Sequence, residues 1–472
     1  MPKITDEKNS VIRSCIDNKG LIIVTLSFFV VMVILLYNYK VIWWDSSVYI
    51  GMGKYIFSYS KSGLWEESRP IILPFILGLG WYFGLDGVIF GRIVSVIFSV
   101  LILIMTYIIG SKIISKRFGL IAALLTASSF TFVFFSANIL SEVPATLFML
   151  LAFYFFLKEK HFLMGLFSGL AILTRFFQLF ALLGIYIIYF VYIYKKPNFN
   201  RKLFSNSVGL LLIILPYALL SLHLYDDVLL PFKVQSQLTR TTGWMLYEDN
   251  LFYFRALLNE NLLFVLLFVL LVLYKNDHRF NALVFAPFVY IIIFSFIKHK
   301  ETRFMFVILP MLYLLLAYCI DRFYAKVKNK VLAKRFFHVI IFFLMLFTFI
   351  KINNAIQNQQ QDQQTSVFQN YLNKNNNGKV WITSPLYALY SDGKIDGLLY
   401  YYSSKNLMKF LEANRDADTV LYNSCDMECP PVELDALCPK SRSILNKMLL
   451  NFETIYQKDV GLCKYRIYKK AI

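Results

Sequence analysis

The chain has 472 residues, of which 58% are hydrophobic, 18% aromatic and only 16% charged. A soluble globular chain carries roughly a quarter charged residues, so this composition excludes an ordinary soluble domain and indicates a polytopic α-helical membrane protein. The formal net charge of +19 does not indicate a nucleic-acid binder, because the Lys and Arg residues lie between apolar runs and no basic groove with interleaved aromatics accompanies them.

In chain order, the first apolar run is Leu21–Tyr37. It lacks a small-residue cleavage site and is read as a retained span rather than a signal peptide. "NYKVIWWDSSVY" follows at once and places Asp45 at the water edge behind Trp43 and Trp44, read as interface anchors. The loop Asn38–Pro70 also holds Tyr49, Glu66, Glu67 and Arg69. "RPIILPFILGLGWYFGLDG" is apolar but broken by Pro and Gly, and reads as a helix at the interface. The next spans are Val88–Gly110, Gly119–Phe135 and Val143–Leu157, with Glu142 and Pro144 at the entry to the third. Phe162–Tyr194 would be about 50 Å as one helix, too long for one crossing, so it divides into Phe162–Leu173 and Leu179–Tyr194 with Thr174–Gln178 at the turn and Arg175 within it. Val208–Leu222 precedes a long loop, 223–261. Leu262–Tyr274 and Ala282–Ile297 follow; "KHKETRF" then gathers Lys298, His299, Lys300, Glu301 and Arg303 before Phe304–Ile320 and Phe336–Ile350. The expected total is about eleven spans.

Loops on one side of these spans carry 21 Lys and Arg; loops on the other carry 11 over many more residues. The positive-inside rule then puts the N-terminal tail, residues 1–20, in the cytoplasm and residues beyond 350 outside the plasma membrane. Residues 21–350 form the transmembrane domain. Residues 351–378 are rich in Gln and Asn and read as a polar stalk. Residues 379–472 alternate strand-like segments ("KVWITSP", "IDGLLYYYSS", "ADTVLYNS") with amphipathic helices ("SKNLMKFLEAN", "SRSILNKMLLNF"), which predicts a small extracytoplasmic α/β domain. Cys15 and Cys319 fall on the cytoplasmic side or in the membrane, whereas Cys425, Cys429, Cys438 and Cys463 all fall in this outer domain. An even set in an oxidising compartment suggests disulfides, with three pairings open and a zinc site as the rival.

The unusual polar groups collect on the outer side. Two acids, Asp45 and Glu142, each abut a helix end and face the cationic cluster Lys298–Arg303. Ionisable groups at a membrane edge are functional hypotheses by default. A carboxylate base beside Arg and Lys suits attack on a carbon whose leaving group is a phosphate: the base takes the acceptor proton and the cations stabilise the departing charge.

The order of these features resembles the C-type superfamily of integral-membrane glycosyltransferases, in particular its protein mannosyltransferase and aminoarabinose transferase branch. "WDSSVYIGMGKYI", "SRPIILPFILGLGWYFG", "SANILSEVPATLFMLLAFYFF", "GLFSGLAILTRF" and "KHKETRFMFVILP" carry the resemblance across residues 20–350. It implies a sugar donor on a polyprenyl or dolichyl phosphate, inverting transfer to a protein, glycolipid or polysaccharide acceptor, and Asp45 as general base. It also implies Glu142 near donor or acceptor, and Lys298, Lys300 and Arg303 near the phosphate, with Arg69 and Arg175 as further phosphate ligands. Tyr49, His299 and Glu301 are the substrate-contact candidates. Ser46 stands where many relatives carry a second acid, so no metal or other cofactor is expected to be required. Transport of lipid-linked sugars is the rival activity; it would favour a midplane site and repeated halves, and the sequence has no internal repeat. A non-catalytic scaffold would leave Asp45 without a role.

Overall fold

A computed structural model describes residues 19–194, 196–241, 244–269, 277–327, 330–359, 363–375 and 378–471. Cys15 and most of the N-terminal tail lie outside these residues. The helical part runs α1 Lys19–Asn38, α2 Trp44–Phe57, α3 Ile72–Tyr82, α4 Gly87–Ile113, α5 Lys116–Ala127, α6 Phe130–Ser136, α7 Glu142–Leu157, α8 His161–Thr174 and α9 Gln178–Tyr194. It continues with α10 Phe199–Tyr225, α11 Leu230–Thr241, α12 Phe252–Glu260, α13 His278–Phe296, α14 Leu309–Lys326 and α15 Lys330–Gln357. Lipid offers no hydrogen bonds, so apolar runs of this length close their backbone bonds within helices. The outward faces stay apolar: Leu211, Leu212, Leu215 and Leu219 of α10 are each more than half exposed.

Among the described residues, five helices are long and apolar enough to cross a membrane, or six if α5 and α6 count as one bent span. Eleven crossings would require the shorter apolar helices, α7, α8 and α9 among them, to cross as well. Gly119–Phe135 is not one straight span: the chain bends by 65° between α5 and α6. Ser129 caps α6 by accepting from Phe132 N, and its hydroxyl donates to the buried Glu260 at 2.5 Å. Thr131 donates to the other oxygen of the same carboxylate at 2.6 Å, so the break is built from satisfied polar groups. Leu262–Tyr274 starts as a 3-10 helix, Leu262–Val269; residues 270–276 lie outside the described residues.

Within the loop Asn38–Pro70, residues 44–57 form the helix α2. Asp45 lies in the first turn of α2, where the helix dipole favours a carboxylate, and Val48 and Met52, one turn apart, face a common core. That core belongs equally to the C-terminal domain: Leu64 joins Phe368, Val380, Ile382, Leu421 and Ile467 in it. α2 and α3 cross at Gly53 and Gly78, where a Cβ on either would meet the other's backbone at 2.6 or 2.4 Å.

Among the described residues of 351–378, most are helical. The first part completes α15, and α16, Gln363–Lys374, buries Phe368 and Leu372 in the C-terminal domain. Beyond it lie β1 Val380–Ile382, β2 Gly397–Leu398, α17 Ser404–Ala413, β3 Thr419–Asn423, α18 Cys438–Leu449, β4 Phe452–Val460 and β5 Cys463–Lys470. The sheet order is β2-β1-β3-β5-β4. β1 pairs parallel with β2 and β3, and the β4–β5 hairpin is antiparallel. "IDGLLYYYSS" is not a full strand: after the two residues of β2 it turns into a 3-10 helix, Leu399–Tyr401, which faces the helical part. Cys425 pairs with Cys463 and Cys429 with Cys438, with Cα separations of 5.2 and 5.6 Å. All four sulfurs are used, which leaves no thiolate for the zinc alternative.

Candidate functional site

A cavity of about 560 Å³ opens between α2, the α8–α9 turn, α11, the 3-10 helix Thr302–Val307 and the C-terminal domain. Asp45 stands in its wall, 12% exposed. Arg69 Nη2 donates to Asp45 Oδ1 at 2.8 Å, and Arg303 Nη1 donates to Oδ2 at 2.5 Å. The carboxylate is thus clamped by two guanidiniums from segments 234 residues apart in sequence (303 minus 69). Burial pushes the Asp45 carboxyl up, but Arg69 and Arg303 outweigh it and hold the group well below the usual carboxylate range. The same pairing offsets the burial of the two arginines and raises both above their ordinary values.

Each arginine is held in turn by a second acid. Arg69 Nε donates to Glu66 Oε1 at 2.9 Å, and Arg303 Nη2 donates to Glu301 Oε1 at 2.7 Å. His299 Nε2 lies 2.9 Å from that same Glu301 oxygen. Burial raises Glu301; the His299 hydrogen bond and Arg303 together bring it below its ordinary value. Arg175 pairs with Glu142 at 2.9 Å, and Arg303 Nε comes within 3.7 Å of the same oxygen. Glu142 is 1% exposed and sits behind the arginines instead of lining the cavity. Tyr49, one turn after Asp45, donates to Ser141 Oγ at 3.0 Å, and Arg175 Nη1 reaches the same oxygen at 3.3 Å. Among the described residues, the Nε atoms of Arg175 and Arg303 have no hydrogen-bond partner.

The structure brings Asp45, Arg69, Arg175, Arg303, Tyr49, His299 and Glu301 to one cavity wall. It does not bring Lys298 or Lys300 there. The Lys300 ammonium is buried and donates to the Glu248 and Ile297 carbonyls at 2.9 and 2.5 Å, and the Lys298 ammonium lies over the Tyr247 ring. The turn preceding Arg303 aims these two side chains away from the cavity. Trp43 and Trp44 are not free interface anchors: Trp43 packs edge-on against Phe135 and beneath Arg303, and Trp44 meets Tyr400 of the C-terminal domain with centroids 4.6 Å apart. Ser46, at the second-acid position, donates to the Ile139 carbonyl at 3.1 Å and braces α2 against the turn before α7.

Sequence reasoning missed Glu66 as a site residue, although its spacing to Arg69 is that of an i,i+3 pair. It also missed Tyr400 and Asp426, which the C-terminal domain contributes to the wall. No local pattern marks either, because long-range packing delivers them. Among the described residues no three His, Cys, Asp or Glu side chains gather as a metal-ligand set.

The fold is similar to that of ArnT from Cupriavidus metallidurans bound to undecaprenyl phosphate, with a TM-score of 0.69 at 11% identity over 96% of this chain and 98% of that one. It is similar to the archaeal oligosaccharyltransferase AglB from Archaeoglobus fulgidus, solved with an inhibitory peptide and a dolichol-phosphate, at a TM-score of 0.62 and 12% identity over 95% and 74% of the two chains. The arabinofuranosyltransferase AftD from mycobacteria gives a TM-score of 0.53 at 12% identity over 95% of this chain and 41% of that one. At these identities the likeness is one of fold. No curated protein matches the chain by sequence. Residues 18–389 match the Alg9-like mannosyltransferase family. With most of its length inside that match and a C-type transferase fold around a buried acid, the chain belongs to the Alg9-like mannosyltransferase family and is a membrane glycosyltransferase.

Proposed function

We propose that this protein moves a sugar from a polyprenyl- or dolichyl-phosphate donor to a hydroxyl acceptor on the outer face of the membrane, with inversion and with Asp45 as general base. The acceptor oxygen forms the new bond to the anomeric carbon, and its proton passes to Asp45. The bond from that carbon to the phosphate oxygen breaks, and the lipid phosphate leaves with the electron pair. The observation that carries this reading is the Asp45 carboxylate held between Arg69 and Arg303 in a cavity at the head of the helical domain. The relatives solved with undecaprenyl phosphate and dolichol-phosphate support the donor class.

A carboxylate clamped by two guanidiniums is a weak base at rest. A donor phosphate competes for the same guanidiniums, and its arrival loosens the clamp and returns basicity to Asp45 when an acceptor is to be deprotonated. Arg69, Arg175 and Arg303 all line the cavity and together form the cationic set that receives the phosphate. Tyr49, His299 and Glu301 contact substrate or orient these arginines, and Glu142 fixes Arg175. This reading demotes Lys298 and Lys300 from phosphate ligands. In the same proposal residues 21–350 lie in and across the plasma membrane, the N-terminus is cytoplasmic and the C-terminal domain is outside. No metal is assigned a step.

Asp45→Asn, purified in detergent and assayed with a lipid-phosphate sugar, tests the reading. Transfer is expected to fall at least about a hundredfold while the variant elutes as wild type in size-exclusion chromatography. Asp45→Glu, which keeps the charge, is expected to retain part of the activity. Wild-type transfer by the Asn variant would remove the central claim. Detergent also separates the rival activity, since transport needs a closed membrane and transfer does not.

A further inference from the structure

We propose that Tyr400, in the C-terminal domain, is a positioning residue for glycosyl transfer: acting through Glu66, it holds the Arg69 guanidinium on Asp45. The inference rests on Asp45 being the base. Tyr400 OH donates to Glu66 Oε2 at 2.7 Å. Glu66 Oε1 accepts from Ser68 Oγ at 2.7 Å and from Arg69 Nε at 2.9 Å, and Arg69 Nη2 continues to Asp45 Oδ1 at 2.8 Å. Glu66 has no exposed surface, so water does not replace a lost donor there. The Tyr400 ring also stands edge-on to Trp44, the chain neighbour of Asp45. One residue of the C-terminal domain therefore touches the surroundings of the carboxylate twice, by hydroxyl and by ring.

The chemistry of Glu66 gives the direction of the effect. Its two donors from the helical part both use Oε1, which leaves Oε2 to the tyrosine. Without that hydroxyl, Oε2 is a charged oxygen without a donor on a side chain that has no exposed surface. The carboxylate then turns Oε2 onto the nearest cation, Arg69, and draws the guanidinium off Asp45. The tyrosine thus sets how Arg69 is shared between two acids.

Asp45 faces charged and titratable groups from several elements: Tyr49 of its own helix, Arg69 from the following loop, Arg303 from the 3-10 helix and Arg175 from the α8–α9 turn. Glu66, Glu142, Glu301 and His299 stand behind those arginines. Of these, only the Arg69 contact is under the control of Tyr400.

Tyr400→Phe keeps the ring against Trp44 and removes the hydroxyl. In detergent, with a lipid-phosphate sugar as donor, kcat is expected to fall about tenfold, because Arg69 drawn onto Glu66 no longer completes the set that stabilises the departing phosphate, a loss the size of one hydrogen bond to a charged group. The acid limb of kcat/KM is expected to move to higher pH as Asp45 loses part of its Arg69 partner. A purely structural role would lower thermal stability and leave that limb in place, and this outcome overturns the proposal. Because Tyr400 acts through Arg69, adding Tyr400→Phe to Arg69→Gln is expected to move the limb no further than Arg69→Gln alone; an additive shift also overturns it. If Asp45→Asn abolishes transfer while Tyr400→Phe behaves as wild type, only this inference fails. If Asp45→Asn remains active, the base assignment fails first.

Discussion

Arg303 and Lys300 are three residues apart, yet they have opposite tasks. Arg303 reaches Asp45 with one arm of its fork and Glu301 with the other, a geometry that an ammonium cannot reproduce. Arg303→Lys is expected to lower kcat/KM for the donor about tenfold or more in a steady-state transfer assay, with little change in the amount of folded protein. Lys300 is buried, and its ammonium satisfies two carbonyls. Lys300→Met is expected to destabilise the protein by about 1–3 kcal/mol through the orphaned carbonyls, read by thermal unfolding in detergent, while the donor KM stays near wild type. A rise in donor KM without loss of stability would return Lys300 to the phosphate site. Both residues read alike in "KHKETRF", because charge is visible in a sequence and side-chain direction is not.

The elements around Asp45 depend on close backbone approach. Gly63 has φ +78°, and a Cβ there would lie 2.2 Å from the Gly51 carbonyl oxygen. Its own N–H donates to the Gly393 carbonyl, and its carbonyl accepts from Ile395 N. These bonds fasten the loop after α2 to the C-terminal domain, next to the buried Lys54 ammonium that donates to the Ser391 carbonyl and pairs with Asp392. Gly63→Ala is expected to strain this turn by at least about 1–2 kcal/mol and to loosen the domain, so that the Gly63-side amides, Ile395 N–H among them, exchange with solvent hydrogen faster than in wild type. Unchanged protection would mean that the docking does not depend on this turn. The helix of Trp44–Phe57 illustrates the same dependence on partners. Asp45, Ser46 and Ser47 at its start and the glycines at 51 and 53 discourage a helix reading, so the segment looks like a loop until Leu64 and the C-terminal core cover Val48 and Met52.

At the scale of the whole molecule, the helical part and the C-terminal domain share one core and one cavity wall. Asp426 in that wall accepts from Tyr387, Thr383 and Asn423, and its neighbour Cys425 is tied to β5 by the bridge to Cys463. Opening that bridge removes a 38-residue closure from the unfolded chain. Cys425→Ser with Cys463→Ser is expected to destabilise the protein by about 2–4 kcal/mol, seen as a lower unfolding temperature, with a loss of transfer larger than that from breaking Cys429–Cys438. Equal effects of the two bridges would argue against a link between the Cys425 turn and the cavity.

The sequence alone determined the membrane class, the helical architecture with a C-terminal α/β domain, the family resemblance and the acid at the head of α2. These rest on composition, apolar run length and short motifs, all of which are local properties of a chain that must close its backbone hydrogen bonds in lipid. Where the strands fall was legible for "KVWITSP" and "ADTVLYNS", which are buried and apolar, and not for β4, whose mostly exposed residues follow no alternation, or for β5, which buries only Tyr465 and Ile467. Tertiary structure alone decided that Arg69 and Arg303 clamp Asp45, that Lys298 and Lys300 turn away, and that Tyr400 and Asp426 complete the wall. The reason is physical: Arg303 reaches Asp45 across 258 residues and Tyr400 reaches Glu66 across 334, and the pairing is enforced by the burial of charge, which exists only once the two parts of the molecule have closed on each other.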